Sequence, residues 1–192
     1  MSKPIPVNYS NKNVRKDLTP ICAEDLDFDF ARPNTTNMAF LLVPKCGSTS
    51  IRRTLPHLHA TSRWKTRDFN VRIGVVRHPI NRMASAWRYG WSMIPFEEWW
   101  AHVRTDPSWD FHTKPYADIL KTDATEILRL EDIRVWWPRL RRQHPRDVDS
   151  DLQWHNASSV KDTIPPEILS HADEICEVYK ADLNIWYHAQ IG

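Results

Sequence analysis

The chain has 192 residues, 41% hydrophobic and 26% charged, the proportions of one globular domain and not of a disordered, collagenous or coiled-coil chain. A folded chain of this length buries roughly 70% of the surface that its unfolded form exposes, so its core needs no disulfide or metal staple. Lys and Arg number 26 against 24 Asp and Glu, a formal charge of +2; that is too balanced for a protein that coats nucleic acid by charge, and any anion site has to be local.

Residues 1–36 are polar and punctuated by proline, without a sustained period of 2 or 3.6, and read as an irregular leader to an α/β domain over 37–192. The opening Met1-Ser2-Lys3-Pro4-Ile5-Pro6 lacks the apolar stretch of a signal peptide, and no run of about 18 apolar residues follows. The expectation is a cytoplasmic protein, of bacterial or viral origin, that inserts in no membrane. Cys22, Cys46 and Cys176 are odd in number and lack CxxC spacing, which fits a reducing compartment and gives no sign of a metal site.

The first clear element is Met38-Ala39-Phe40-Leu41-Leu42-Val43, a continuous apolar run that suits a strand buried on both faces. Thr49 to Leu55 follows as a helix, stopped by Pro56. Val71 to Val76 is a second buried strand, and Pro79 suits the first position of the next helix. There Ile80, Met83, Ala84, Trp87 and Trp91 form one apolar stripe from which Arg82 and Ser85 point away. A helix opening at Pro95 carries Phe96, Trp99, Trp100 and Val103, and residues 105–115 read as loop. Glu126 to Leu130 is a third strand, and Ile133, Trp136, Trp137 and Leu140 mark a helix whose start or kink lies at Pro138. After a polar loop over 143–163, Ile168 to Trp186 is the longest amphipathic pattern in the chain. Strands alternating with helices predict a single-domain, P-loop-like α/β fold with a mostly parallel sheet flanked by helices.

In such a sheet ligands bind where strands end and helices begin. The first strand leads into Pro44-Lys45-Cys46-Gly47-Ser48-Thr49-Ser50, a small-residue turn whose backbone N–H groups, lysine and hydroxyls suit a phosphate or sulfate. It departs from the Walker pattern, because the lysine precedes the glycine. The second strand leads into Arg77-His78-Pro79-Ile80-Asn81-Arg82-Met83-Ala84-Ser85, where the Arg77 guanidinium and the Ser85 hydroxyl can converge on a second anion. Two anion sites at neighbouring strand ends predict a ligand with two separated phosphates.

These two motifs, PKCGSTS and VVRHPINRMASAW, resemble those of the sulfotransferase family, especially its carbohydrate and heparan sulfate branch. Asp110-Phe111-His112-Thr113-Lys114-Pro115, Leu130-Glu131-Asp132, Asn156-Ala157-Ser158 and Tyr179-Lys180-Ala181-Asp182-Leu183 extend the likeness over about residues 38–188. The resemblance implies 3′-phosphoadenosine 5′-phosphosulfate (PAPS) as sulfuryl donor, adenosine 3′,5′-bisphosphate (PAP) as product, no metal requirement, and an acceptor hydroxyl for which a saccharide is one candidate. It implies that Lys45 contacts the bridging oxygen, that the loop Cys46, Gly47, Ser48, Thr49 and Ser50 holds the 5′-phosphate, and that Arg77 and Ser85 hold the 3′-phosphate. Lys161 is a further, weaker donor contact on the same ground. His78 departs from the acidic residue often found after that arginine.

Sulfuryl transfer asks for in-line positioning, charge on the leaving phosphate and a base for the acceptor hydroxyl. Of nine histidines, His59 is the first choice as base, because His59-Ala60-Thr61-Ser62 resembles the corresponding family segment. His57 stays open beside it, since a strand would put both on one side. His112 could line the acceptor cleft, and Trp64, Trp109 and Trp154 could form a platform there. Two other readings compete: a small P-loop nucleotide kinase, which would need the absent GK[ST], and a non-catalytic binding module on the same fold. Oligomeric state is left open.

Overall fold

A computed structural model describes residues 28–31, 37–62, 67–120, 123–153 and 163–189. Lys161, Trp64, Trp154 and the Asn156-Ala157-Ser158 segment lie outside them. Five strands, β1 (Phe28–Ala31), β2 (Met38–Leu41), β3 (His59–Ser62), β4 (Val71–Val76) and β5 (Glu126–Arg129), form one sheet in the order β3-β1-β2-β4-β5. Among the described residues eight helices accompany them: α1 (Ser48–Thr54), α2 (Pro79–Gly90), α3 (Phe96–Thr105), α4 (Tyr116–Leu120), α5 (Ile133–Gln143), α6 (Pro166–Leu169), α7 (Ala172–Val178) and α8 (Lys180–His188). A 3-10 turn over Leu130–Asp132 joins β5 to α5. Among the described residues no helix is long and apolar enough to cross a membrane.

The α/β class is as expected, whereas the sheet is mixed. β2, β4 and β5 run parallel, but β1 is antiparallel to both β2 and β3. The cause is β1 itself, which falls inside the stretch that reads as an irregular leader. Phe28-Asp29-Phe30-Ala31 alternates apolar and polar over only four residues, too short a run for its period to stand out from the surrounding polar sequence. Its pairing with Phe40 and Ala39 of β2 and with the whole of β3 supplies what the local pattern does not.

Strand alternation divides the core into layers. Met38, Phe40, Ile73, Val75 and Leu128 point to one face, where Ile51 and Leu55 of α1 and Ile133, Trp136, Trp137 and Leu140 of α5 cover them. Leu41 and Val76 point to the other, under Tyr116, Ile119 and Leu120 of α4. Burial on both faces explains why these strands read as continuous apolar runs. A third cluster lies among helices: Trp91, Trp99 and Trp100 are fully buried with Phe96, Ile168, Ile175 and Tyr179. Trp109 packs here too, its ring 5.1 Å from Trp91 and 5.4 Å from His102, so it is part of a packed cluster and not a free platform.

The C-terminal pattern, continuous in sequence, breaks into α6, α7 and α8. At Tyr179 the backbone leaves helical geometry (φ −103°, ψ 34°), and its buried hydroxyl donates to the Thr113 carbonyl at 2.7 Å. Beyond it, α8 carries Asp182 into the interior. Pro138, in contrast, sits inside α5 without ending it.

Candidate active site

The chain leaves β2 through Leu42-Val43-Pro44 into a turn where two residues have left-handed backbones, Lys45 (φ 65°) and Gly47 (φ 83°). Glycine is required at 47 on two counts. Its φ disfavours any L side chain, and a Cβ there would meet Leu130 Cδ1 at 2.6 Å. α1 then opens without a side-chain cap and without an acidic residue in its first turn, which leaves its N-terminal dipole uncompensated. Ser48 and Thr49 are half-buried at this opening, whereas Ser50 is buried. Cys46 faces inward: its N–H donates to the Val43 carbonyl at 3.2 Å, its side chain packs with Leu41, Val43 and Val76, and burial pushes its thiol up to about 12.

Arg82 holds this turn from below. It does not point away to solvent but is fully buried, with Nε donating to the Pro44 carbonyl at 3.2 Å and Nη2 to the Lys114 carbonyl at 2.7 Å. Its Nη1 lies 3.4 Å from Oδ2 of Asp182, itself 1% exposed. The Asp182 carboxylate also accepts the N–H groups of Tyr116 and Ala117 at 2.9 Å each, and the Tyr116 hydroxyl donates to the Asp182 carbonyl. Sequence reasoning missed both residues as parts of the site. The available signal was a charged residue on an otherwise apolar helix face, since Arg82 sits between Pro79 and Met83, both buried.

Above this network two cations stand close together. Burial and the neighbouring Arg77 guanidinium hold the Lys45 ammonium down at about 7, against the pull of Asp110. Lys45 Nζ rests 3.7 Å from the centre of the Tyr89 ring. Among the described residues neither Lys45 nor Arg77 has an ion pair or a hydrogen-bond acceptor. Glu131, a carboxylate in the turn after the adjoining strand β5, is taken by neutral donors: the His78 N–H at 2.9 Å and Trp186 Nε1 at 3.2 Å. Ser85 is half-buried on α2, two turns on from Arg77. The structure therefore brings Lys45, Gly47, Ser48, Thr49 and Arg77 to the C-terminal ends of two adjacent parallel strands.

The expected bases lie elsewhere. His59 is exposed at the start of β3, an edge strand, and pairs with Ala31, which in turn pairs with Ala39 of β2. It is thus two strand spacings, about 10 Å, to the side of β2 and level with its beginning, whereas Lys45 follows its end. His57 is occupied by another loop, with Nε2 3.1 Å from the Asp147 carbonyl and Nδ1 3.6 Å from Asp149. His112 is the imidazole that does lie near Lys45. Its ring is 5.1 Å from that of Tyr89, its Nδ1 is 3.0 Å from Oδ1 of the fully buried Asp110, and the Lys45 charge acts on it.

No family model, curated protein or solved structure matches the chain.

Proposed function

We propose that the protein is a sulfotransferase that moves a sulfuryl group from PAPS to an acceptor hydroxyl. The observation that carries this reading is the pair Lys45 and Arg77: two neighbouring cations, without carboxylate partners among the described residues, at the ends of adjacent parallel strands. Leaving two like charges together costs stability unless an anion joins them. Lys45 and the opening of α1 suit the bridging oxygen and 5′-phosphate of the donor, and Arg77 with Ser85 suits its 3′-phosphate.

Transfer follows from positioning and charge. The acceptor oxygen attacks sulfur in line as the bond from sulfur to the bridging oxygen breaks, and negative charge builds on the departing phosphate. Lys45 meets that charge from a partly desolvated position, where it counts for more than in water. The loop hydroxyls Ser48 and Thr49 add donors to the same group.

The test is a thermal-shift titration with PAP, beside ADP and ATP with and without magnesium. A ligand that binds only the folded state adds about 2.7 kcal/mol of stability at 100 times its dissociation constant. A shift with PAP that disappears in Arg77→Ala is the expected result. A shift with magnesium-ATP and none with PAP would overturn the reading in favour of a kinase, and silence from every nucleotide would leave a non-catalytic module.

A further inference from the structure

We propose that His112 Nε2 is the proton acceptor of the reaction, with Asp110 as its positioning residue. The inference rests on the sulfotransferase reading and adds the group that reading lacks. Asp110 Oδ1 receives both the His112 backbone N–H at 2.7 Å and the His112 Nδ1 at 3.0 Å. With Asp110 ionised, its carboxylate can only accept, so Nδ1 carries the hydrogen and the lone pair is left on Nε2. The orientation is rigid because Asp110 is fully buried and the next turn closes over it: Thr113 and Lys114 donate their N–H groups to the Asp110 carbonyl at 2.9 and 3.1 Å. The imidazole is not sealed off, since 13% of its side-chain surface stays open.

Its surroundings place it beside the transfer chemistry. Both groups contact Tyr89 of α2, with the His112 ring 5.1 Å away and Lys45 Nζ 3.7 Å from its centre. The charged and titratable groups facing His112 are Asp110 of its own loop, Lys45 of the turn after β2, and Arg82 and Tyr89 of α2. Burial and the two cations favour the neutral ring, against Asp110, and a neutral ring is the form that can take a proton. In the step itself the acceptor O–H proton passes to Nε2 as the oxygen bonds to sulfur. The electron pair of the broken bond leaves on the 5′-phosphate of PAP, next to Lys45.

The experiment follows PAP release from PAPS with water as acceptor, so no acceptor needs to be known, and measures PAP binding by thermal shift on the same samples. His112→Gln is expected to bind PAP as the wild type does while release falls about 10²-fold or more, the scale of a general base. In His112→Gly, added imidazole should restore part of the rate, which a purely structural role of the ring would not allow. Asp110→Asn should lower the rate and alter its dependence on pH, with PAP binding retained. Release at the wild-type rate in His112→Gln, a loss confined to His59→Ala, or a wild type that binds PAP without turning PAPS over would each overturn the assignment. A wild type that does not bind PAP would overturn the sulfotransferase reading itself, and the base with it.

Discussion

The Arg82–Asp182 pair offers a sharp test of how the site is held. Buried ion pairs are often replaceable: exchanging both partners for apolar residues of similar volume is commonly neutral or stabilising, because two desolvation penalties vanish together. Here the pair also satisfies four backbone groups, the carbonyls of Pro44 and Lys114 and the N–H groups of Tyr116 and Ala117. In Arg82→Met with Asp182→Leu all four lose their partners; the buried Pro44 carbonyl and Tyr116 N–H each cost about 1–3 kcal/mol as orphans, and the half-buried Lys114 and Ala117 groups cost less. The two buried groups alone give about 2–6 kcal/mol, with about 4 kcal/mol at the centre, a large part of the 5–15 kcal/mol typical of a domain. With a urea slope of about 2 kcal/mol per molar, the unfolding midpoint should fall by about 2 M. Each single variant leaves a buried charge unpaired and should lose about 3–5 kcal/mol. Urea unfolding of the two singles and the double, followed by circular dichroism, completes the cycle. A double variant as stable as the wild type would refute the reasoning, for it would mean that the backbone groups find other partners and the pair anchors nothing.

Three further outcomes follow from single sites. Gly47→Ala should destabilise by about 2–5 kcal/mol, the left-handed backbone and the overlap with Leu130 contributing about 1–2 and 1–3, with PAP binding weakened in the same melts. For Lys45, the folded value near 7 lies below the ordinary 10.5, so the unfolded chain holds more protons between those limits and the unliganded protein should gain stability as pH rises through that window; Lys45→Met should abolish the gain. The ligand works in the opposite direction, because an anion favours the charged lysine: PAP affinity should be level below pH 7 and fall by up to about tenfold per pH unit above it, read by titration calorimetry. Glu174 accepts hydrogen bonds from Trp100 Nε1, Arg104 and His171, which hold its carboxyl down at about 2. Its stabilising effect is present above the unfolded carboxylate value and lost as pH falls through the folded one, so Glu174→Gln should lower the urea midpoint at pH 7 more than at pH 3.

The parts of this fold that sequence reveals are those where local pattern and tertiary role agree. β2 and β4 are buried on both faces and read as apolar runs; α2 and α3 carry stripes that meet a core. β1 stays hidden because its stability comes from pairing with β2 and β3 and not from its own four residues. The C-terminal segment misleads for the opposite reason: its apolar spacing is regular, yet the chain breaks at Ser170–His171 and again at Tyr179, whose hydroxyl bonds Thr113, 66 residues away. The site divides in the same way. Lys45, Gly47 and Arg77 stand at strand ends, where residue type alone suggests anion chemistry. Cys46 belongs to the same motif yet turns into the core, and the proximity of His112 to Lys45 depends on how α2 and the 110–114 turn pack together.

That division also explains why the two arginines of one helix entry behave so differently. An anion site needs cations without protein partners, but such cations repel one another and cannot themselves hold the turn that carries them. Arg82 resolves the conflict by being fully engaged: its charge faces Asp182 and its other donors fasten Pro44, the residue just before Lys45. The turn is thereby fixed from the buried side while Lys45 and Arg77 remain available from the other. Asp182 comes from α8, which opens beyond the break at Tyr179. The geometry of the turn at residue 45 is therefore tied to a helix that ends at residue 188, with the intervening chain folded around the contact between them.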